Sequence, residues 1–359
     1  MPLVAHNNLP SFDRLREQGN DVLSAGSSLS LDPRELHVGV LNMMPDAALE
    51  ITERQFLSLI ANCSQPAQFY AHFFSVGCLP RSGAAQAHIA EHYTTFEQLR
   101  ETRLDALIIS GANVSNPALD EEPFWNPLRE IIDWAQENVH SILCSCLATH
   151  ALVKQLYGID RRPLRHKKWG VFSHRATNRR HPLLQGINTR FDVPHSRFNE
   201  ITREQLETAG LHILAESDEA GVHLAVSPDQ SRLVFFQGHP EYDHNSLLKE
   251  YKREINRYLA GEIGERPPYP DNYFSSHAAE LVESFMDQAT RARARGDSMP
   301  AFPEGEMEPH LDNTWGDTGK ALFSNWIGLV CRLAHSERCM PFMQGVGREV
   351  AFGMRDCAS

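Results

Sequence analysis

The sequence contains no long apolar run, no basic stripe and no framework of paired cysteines. Its apolar runs fall well short of the roughly 20 residues that a membrane-spanning helix needs. Residues 1–20 do not show the charged-then-apolar order of a signal peptide. The formal net charge of -12 argues against nucleic-acid binding. We therefore expect a cytoplasmic globular protein that binds neither nucleic acid nor a membrane.

The cysteines are too irregularly spaced to cross-link the chain. There are seven in 359 residues, and an odd, scattered set is not a disulfide framework. Cys144 and Cys146 form one close pair, but the sequence has no second pair at zinc-binding spacing. We expect no metal site, so any special chemistry of these residues would come from an individual thiol.

Apolar segments of strand length alternate with helical periodicity in the first half of the sequence. Strands are predicted over 38–44, 67–76, 104–110 and 140–145, and helices over 51–61, 84–93, 123–137 and 147–156. This alternation predicts an α/β fold with a mostly parallel sheet and helices on both faces. Functional residues of such a sheet lie at the carboxyl ends of its strands, where Ser110, Gly111 and Cys146 are placed.

After Lys168 the pattern changes to shorter strands separated by turns. Strands are predicted over 169–173, 191–194, 211–216, 222–227 and 232–236, and helices over 245–260, 275–295 and 318–334. We expect an added β-hairpin region and C-terminal helices. The predicted organisation is a partly ordered arm at 1–36, one domain at 37–335 and a loosely held tail at 336–359.

Cys146 stands between a predicted buried strand and a predicted helix. Ser145 and Ala148 are small, so the chain can make a tight turn that presents the cysteine at the end of the sheet. The helix dipole would favour a thiolate there. The alternative is a buried core cysteine, the commonest environment of a free cysteine. The assignment of Cys146 therefore depends on the rest of the chain.

A histidine and a glutamate follow the last predicted strand in the stretch Gly238-His239-Pro240-Glu241. Glu241 lies on the same side of an extended chain as His239, because side chains alternate with a period of two. The glutamate could then hold the imidazole tautomer while the histidine serves as base for a cysteine. The alternative is a surface loop with an unrelated histidine and glutamate. The preceding cysteine turn favours the catalytic interpretation.

Motifs spread over roughly residues 38–326 match one known family. They are LNMMP at 41–45, ERQF at 53–56, SGA at 110–112, FW at 124–125, LYGI at 156–159, GVF at 170–172, PHSR at 194–197, GHPEYD at 238–243, NYF at 272–274 and TW to NW at 314–326. With the cysteine turn, they resemble the homoserine O-acyltransferases of methionine biosynthesis, of the homoserine O-succinyltransferase type. That family has a class I glutamine amidotransferase-like architecture, which the resemblance implies here.

The resemblance implies an acyltransferase that works through a covalent intermediate. Cys146 would be acylated by an acyl-CoA, which is a co-substrate, and no other cofactor is implied. His239 would be the general base that deprotonates the acceptor hydroxyl, with Glu241 as its partner. Backbone N–H groups near Leu147 and in the Gly111-Ala112 loop would stabilise the tetrahedral oxyanion.

Three further residues match positions that contact substrate in the family. They are Lys167 after the cysteine helix, Ser196 in the PHSR motif, and Arg253 on the helix after His239. A planar guanidinium suits the carboxylate of an amino acid acceptor. Solvated surface charge is the alternative for Lys167 and Arg253.

The sequence departs from the family pattern at three places. Leu147 and His150 stand where the family usually has tryptophan and glutamine, and Asp46-Ala47-Ala48 replaces the usual lysines. Ser115 occupies the position that tracks acyl preference, where glycine accompanies succinyl-CoA and glutamate accompanies acetyl-CoA. A small, uncharged serine leaves room for a succinyl carboxylate, so we expect succinyl-CoA to be preferred.

The predicted function is transfer of a succinyl group from succinyl-CoA to the hydroxyl of L-homoserine. Homoserine O-acetyltransferase and serine O-succinyltransferase activities stay open, because Ser115 and Leu147 match neither pattern fully. A glutaminase-like hydrolase and a non-catalytic amino-acid-binding protein are the alternatives from other classes. The resemblance also implies a homodimer.

Overall fold

The computed structural model describes residues 3–25, 34–64 and 67–339. Its strands are β1 (Leu3–Ala5), β2 (Val22–Ser24), β3 (Arg34–Met43), β4 (Ala67–Phe74), β5 (Ala106–Ala112), β6 (Ser141–Ser145), β7 (Arg162–Ala176), β8 (Arg190–Glu200), β9 (His212–Ser217), β10 (Gly221–Val226) and β11 (Leu233–Phe236). Its helices are α1 (Pro10–Glu17), α2 (Asp46–Ala61), α3 (Gly83–His92), α4 (Phe96–Glu101), α5 (Trp125–Asn138), α6 (Leu147–Tyr157), α7 (Arg203–Thr208), α8 (Ser246–Ala260), α9 (Ser276–Arg295), α10 (Glu304–Met307) and α11 (Gly316–Cys339).

These strands form one sheet in the order β2-β1-β4-β3-β5-β6-β11-β10-β9-β7-β8. Neighbours from β2 to β11 run parallel, and those from β11 to β8 run antiparallel. The predicted α/β class with a mostly parallel sheet is confirmed. The expected hairpin region continues the same sheet, because β11 pairs with β6 on one edge and β10 on the other.

Alternate side chains of the central strands pack on opposite faces of the sheet. Val38 and Val40 of β3 belong to an apolar cluster with α1, α2 and α11. Leu41 and Met43 of the same strand belong to a second cluster with α4, α5, α6 and α7. Because strand side chains alternate with a period of two, one strand supplies both cores. Helices therefore cover both faces, as predicted.

The N-terminal residues are more ordered than the sequence pattern indicates. Residues 3–25 are not an irregular arm, since β1 pairs with both β2 and β4 and α1 buries Phe12 and Leu15. The two strands have three residues each, too few for alternation to be visible in the sequence. Residues 26–33 of the predicted arm and 340–359 of the predicted tail lie outside the described residues. Within the described part of the chain, no helix combines the length and apolarity needed to cross a bilayer.

Candidate active site

Cys146 occupies the turn between β6 and α6, where the sequence predicts it. Its φ of 52° and ψ of -107° are unusual for a residue with a side chain, and such backbone strain is concentrated at functional turns. The Cys146 N–H and the Thr149 hydroxyl both donate to the Phe236 carbonyl at 2.8 Å. The end of β11 therefore fixes this half-buried cysteine at the carboxyl edge of the sheet.

One carboxylate oxygen of Glu241 contacts both His239 and the residue before Cys146. Glu241 Oε1 lies 2.8 Å from His239 Nδ1 and also accepts a hydrogen bond of 2.9 Å from the Ser145 hydroxyl. The His239 ring stacks on Tyr242, with ring centroids 4.2 Å apart. Glu241 thus connects the histidine to the residue immediately before Cys146. Ser145 was noted in the sequence only for its small size.

The charges around His239 favour its protonated form. Burial lowers the pKa of His239, but the charges of Cys146 and Glu241 and the hydrogen bonds to both raise that pKa well above 6.5. The Nδ1 of the ring is engaged by Glu241, which leaves Nε2 for the thiol. A thiol proton transferred to His239 would therefore be held there, which is the condition for a thiolate–imidazolium pair.

A second network surrounds Glu250 of α8, a residue that sequence reasoning missed. Its carboxylate accepts hydrogen bonds from Lys167 Nζ at 3.1 Å, Ser196 Oγ at 2.6 Å and Tyr242 OH at 2.9 Å. Burial raises the pKa of Glu250, but Lys167 and these hydrogen bonds bring it below its ordinary value. The structure therefore brings the predicted residues Lys167 and Ser196 together on one partly buried carboxylate.

Arg253 lies outside this network. Its side chain is 56% exposed, and its Nε donates to Glu254 at 3.1 Å. Arg253 and Glu250 are three residues apart on α8 and so share one helix face. That spacing was the signal in the sequence by which Glu250 could have been found.

His150 lies in the protein interior one helical turn after Cys146. Its Nε2 is 3.2 Å from Gln237 Oε1, and its Nδ1 has no partner among the described residues. Burial, together with the positive charge of Arg197, lowers the pKa of His150 to about 3. At neutral pH this ring is uncharged and is held by Gln237, which does not suit a catalytic base.

Three more buried histidines lie behind His239. His174 and His195 face each other with their Nε2 atoms 3.2 Å apart, and His223 Nδ1 accepts the Gly238 N–H at 3.2 Å. Burial lowers the pKa of each ring below 6.5. The described residues contain no group of histidine, cysteine and carboxylate side chains arranged for a metal ion. These neutral rings support the turn that carries His239.

The loop after β5 borders the cysteine and contains Ser115. A side-chain carbon added at Gly111 would lie 3.9 Å from Cys146 Cβ. Farther along the loop, the N–H groups of Ser115 and Asn116 both donate to Glu122 Oε1 at 2.6 Å. Buried Glu122 therefore fixes the backbone at Ser115, the position that the family resemblance links to acyl preference.

A cysteine on a strand-to-helix turn beside a histidine–glutamate pair is the arrangement of α/β enzymes that transfer acyl groups through a thiol. A family model described as homoserine O-succinyltransferase matches residues 2–335. The chain therefore belongs to the homoserine O-succinyltransferase family and is a transferase, as the motifs indicate.

Named relatives match over nearly the full length of the chain. The homoserine O-succinyltransferase of Methylobacter tundripaludum is 56% identical, over 99% of this chain and 100% of the relative. The proteins of the same name in Thiothrix nivea and Methylococcus capsulatus are 55% and 54% identical, each over 99% of this chain and over 99% and 100% of their own lengths. Among solved structures, a glutamine amidotransferase from Methylobacillus flagellatus is similar, with 15% identity and a TM-score of 0.46 over 83% of this chain and 96% of that chain.

Proposed function

We propose that this enzyme transfers a succinyl group from succinyl-CoA to the hydroxyl of L-homoserine, through a thioester on Cys146, as a step of methionine biosynthesis. Family membership supports the donor and the acceptor. The observation that carries the mechanism is the hydrogen-bonded series Ser145–Glu241–His239 beside Cys146. It supplies a nucleophile, a base and a group that orients the base.

In the first half-reaction the Cys146 thiolate attacks the succinyl carbonyl carbon, while His239 holds the proton of the thiol. The tetrahedral oxyanion collapses, the carbon–sulfur bond to CoA breaks, and the leaving sulfur takes the proton from His239. Leu147 begins α6, and the first N–H groups of a helix have no intrahelical acceptor. We assign the oxyanion to the Leu147 N–H and to the Gly111-Ala112 loop.

In the second half-reaction neutral His239 accepts the proton of the acceptor hydroxyl, whose oxygen attacks the thioester. The Cys146–acyl bond breaks, and the O-succinyl product leaves. We assign the charged ends of the acceptor to Lys167, Ser196 and Glu250 and to nearby Arg253. The Glu250 carboxylate would bind the ammonium group of the acceptor, and Lys167 and Arg253 would bind its carboxylate. These charges match an amino acid.

Incubation with succinyl-CoA alone tests this mechanism. Intact-protein and peptide mass spectrometry should find one succinyl group on Cys146, and Cys146→Ser should remove both the adduct and nearly all turnover. Cys144→Ser is the matched control, because Cys144 is fully buried in β6 and burial raises its pKa well above the ordinary value. Equal losses in both variants, or no adduct on the wild type, would refute the proposal.

The alternative substrates are tested in the same assay. Values of kcat/KM are measured for succinyl-CoA and acetyl-CoA against L-homoserine and L-serine, and the succinyl–homoserine pair should be highest. We also propose a cytoplasmic homodimer, because a reducing compartment keeps Cys146 free and the family resemblance implies a dimer. Light scattering on the purified protein tests the oligomer.

A further inference from the structure

Arg161, in the connection between α6 and β7, contacts the loop that contains Ser115. Its Nη2 donates to the carbonyl oxygens of Asn116 at 3.1 Å and Pro117 at 3.2 Å. The N–H groups of the same loop are held by Glu122. Arg161 and Glu122 therefore fix this loop through its carbonyl and N–H groups respectively.

The guanidinium of Arg161 keeps donors that the protein does not use. Its Nε is buried and has no hydrogen-bond partner in the described structure, and its bonds to the two loop carbonyls both come from Nη2. Burial lowers the pKa of Arg161, while the charges of Glu122 and Cys146 raise it. A positive charge therefore lies within electrostatic reach of the cysteine. Unmade hydrogen bonds of this kind are costly, so a ligand that supplies an acceptor would be stabilised.

Arg197 also lies near Cys146 but offers nothing to a ligand. Burial lowers its pKa, and the charges of Glu200 and Cys146 offset only part of that effect. Its Nε, Nη1 and Nη2 donate to His195 Nδ1 at 3.3 Å, Asn199 O at 2.8 Å and Ala220 O at 2.5 Å. Each nitrogen of Arg197 is thus engaged, whereas Arg161 has donors to spare.

We propose that Arg161 binds the distal carboxylate of the succinyl donor and, with Ser115, determines acyl preference. This inference rests on the proposed thioester at Cys146. The distal carboxylate lies only two methylene groups beyond the carbonyl that Cys146 attacks, and Arg161 contacts the loop that borders this cysteine. An acetyl group has no such carboxylate, so the contribution of Arg161 is specific to succinyl-CoA.

The test compares both donors in Arg161→Gln and in Arg162→Gln, whose exposed side chain lies at the start of β7 and makes it the matched control. In Arg161→Gln, kcat/KM for succinyl-CoA should fall by roughly 100-fold, and that for acetyl-CoA by only a few-fold. Arg161→Lys should retain more of the succinyl preference than Arg161→Gln, because it keeps the charge. The Arg162→Gln variant should keep the wild-type ratio.

Equal losses for both donors in Arg161→Gln would overturn the inference and show that Arg161 only holds the loop. Calorimetric binding of succinyl-CoA and acetyl-CoA to Cys146→Ser, with and without Arg161→Gln, gives a readout that needs no turnover. The inference is supported if Arg161→Gln weakens the binding of succinyl-CoA more than that of acetyl-CoA. It is contradicted if Arg161→Gln leaves both affinities unchanged or weakens them equally. Failure of the wild type to form an adduct would refute the proposed function, while the binding measurement still decides the role of Arg161.

Discussion

Glu241 Oε1 contacts the candidate base His239 and Ser145, the residue before the candidate nucleophile Cys146. It engages His239 Nδ1 and also accepts the Ser145 hydroxyl, so the carboxylate is anchored before it orients the ring. The two histidines near Cys146 have pKa values that are shifted in opposite directions. The pKa of His239 is raised by Cys146 and Glu241 against the effect of burial, and that of His150 is lowered by burial. Environments that drive two pKa values apart separate acid–base roles.

This separation predicts different outcomes for substitutions at the two histidines. His150→Gln should keep kcat/KM within a few-fold, because a glutamine can still contact Gln237. His239→Asn should lower kcat/KM by at least about 100-fold, because it removes the proposed general base. Steady-state kinetics with succinyl-CoA and homoserine measures both. The reverse pattern would make His150 the base.

Ser115→Glu should shift donor preference toward acetyl-CoA. Its backbone is fixed by Glu122, so a glutamate at this position would bring negative charge toward the succinyl carboxylate and would compete for Arg161. We expect a shift of on the order of tenfold or more in the ratio of the two kcat/KM values. Ser115→Ala is the control for loss of the hydroxyl alone. If the wild type already prefers acetyl-CoA, residue 115 is not the determinant.

The positions of Cys146, His239 and Glu241 could be predicted because local rules place them. A cysteine between a strand and a helix, and a histidine two residues before a glutamate, need no knowledge of the tertiary fold. The Ser145–Glu241 hydrogen bond could not be predicted, because it depends on the register in which Phe236 of β11 pairs with Ser145 of β6. The Glu250 network likewise depends on how α8 packs on β7 and β8.

At the scale of secondary structure, β7 shows why polar strands are hard to predict. The sequence predicts a strand over 169–173, whereas β7 spans Arg162–Ala176. Its first residues are charged, and its pairing with β8 shifts register between Pro163 and Lys168. The apolar strands β5 and β6 were predicted to within two residues at each end, whereas β3 begins at Arg34, four residues before the predicted start, because its first residues are polar. A buried strand leaves an apolar run in the sequence. A strand segment with polar side chains leaves no such run, even where it pairs with a neighbour.

Gly170 of β7 supports the chain segment before α9. The backbone of Asp271 donates to Trp169 O and accepts from the Val171 N–H, both at 2.8 Å. A side-chain carbon on Gly170 would lie 2.2 Å from Asp271 O, and its φ is 148°. Only glycine allows this contact.

Gly170→Ala should therefore destabilise the protein by about 3 kcal/mol, because the Asp271 segment must move and the backbone is strained. Thermal and urea unfolding measure this change. Gly83→Ala is the matched control, since no atom lies within 4 Å of the added carbon in α3. That control should be neutral or stabilising by about 0.5 kcal/mol. Equal stability of the two variants would show that the segment adapts without cost.

At the scale of the whole molecule, one sheet carries both cores, and the interior also holds five buried neutral histidines. Burial is the main cause of a lowered pKa at each of them. The values are about 3 for His150 and about 4 for His174 and His181, and they are well below 6.5 for His195 and His223. Each ring is at most 2% exposed. These rings lie in the protein interior, so their protonation is coupled to unfolding of the fold as a whole.

This set of histidines predicts that the protein loses stability in mild acid. A folded pKa below the unfolded value of 6.5 means that the unfolded chain binds more protons, so the unfolding free energy falls as pH drops through about 6 toward 4. Each such histidine contributes about 1.4 kcal/mol per pH unit in that window. His239 acts in the opposite direction, because its raised pKa gives stability that is lost only as pH rises through the folded value.

Urea unfolding followed by tryptophan fluorescence at a series of pH values measures the effect. The unfolding free energy should change little between pH 8 and 7 and should then fall steeply, with a slope that corresponds to uptake of several protons. His6 and His72, whose pKa values burial also lowers, add to the uptake by the five buried rings. His150→Gln should reduce that uptake by about one proton, since it removes one buried ring and keeps a polar contact to Gln237. A flat profile between pH 6.5 and 4.5 would mean that these histidines are already charged, or are open to water, in the folded protein.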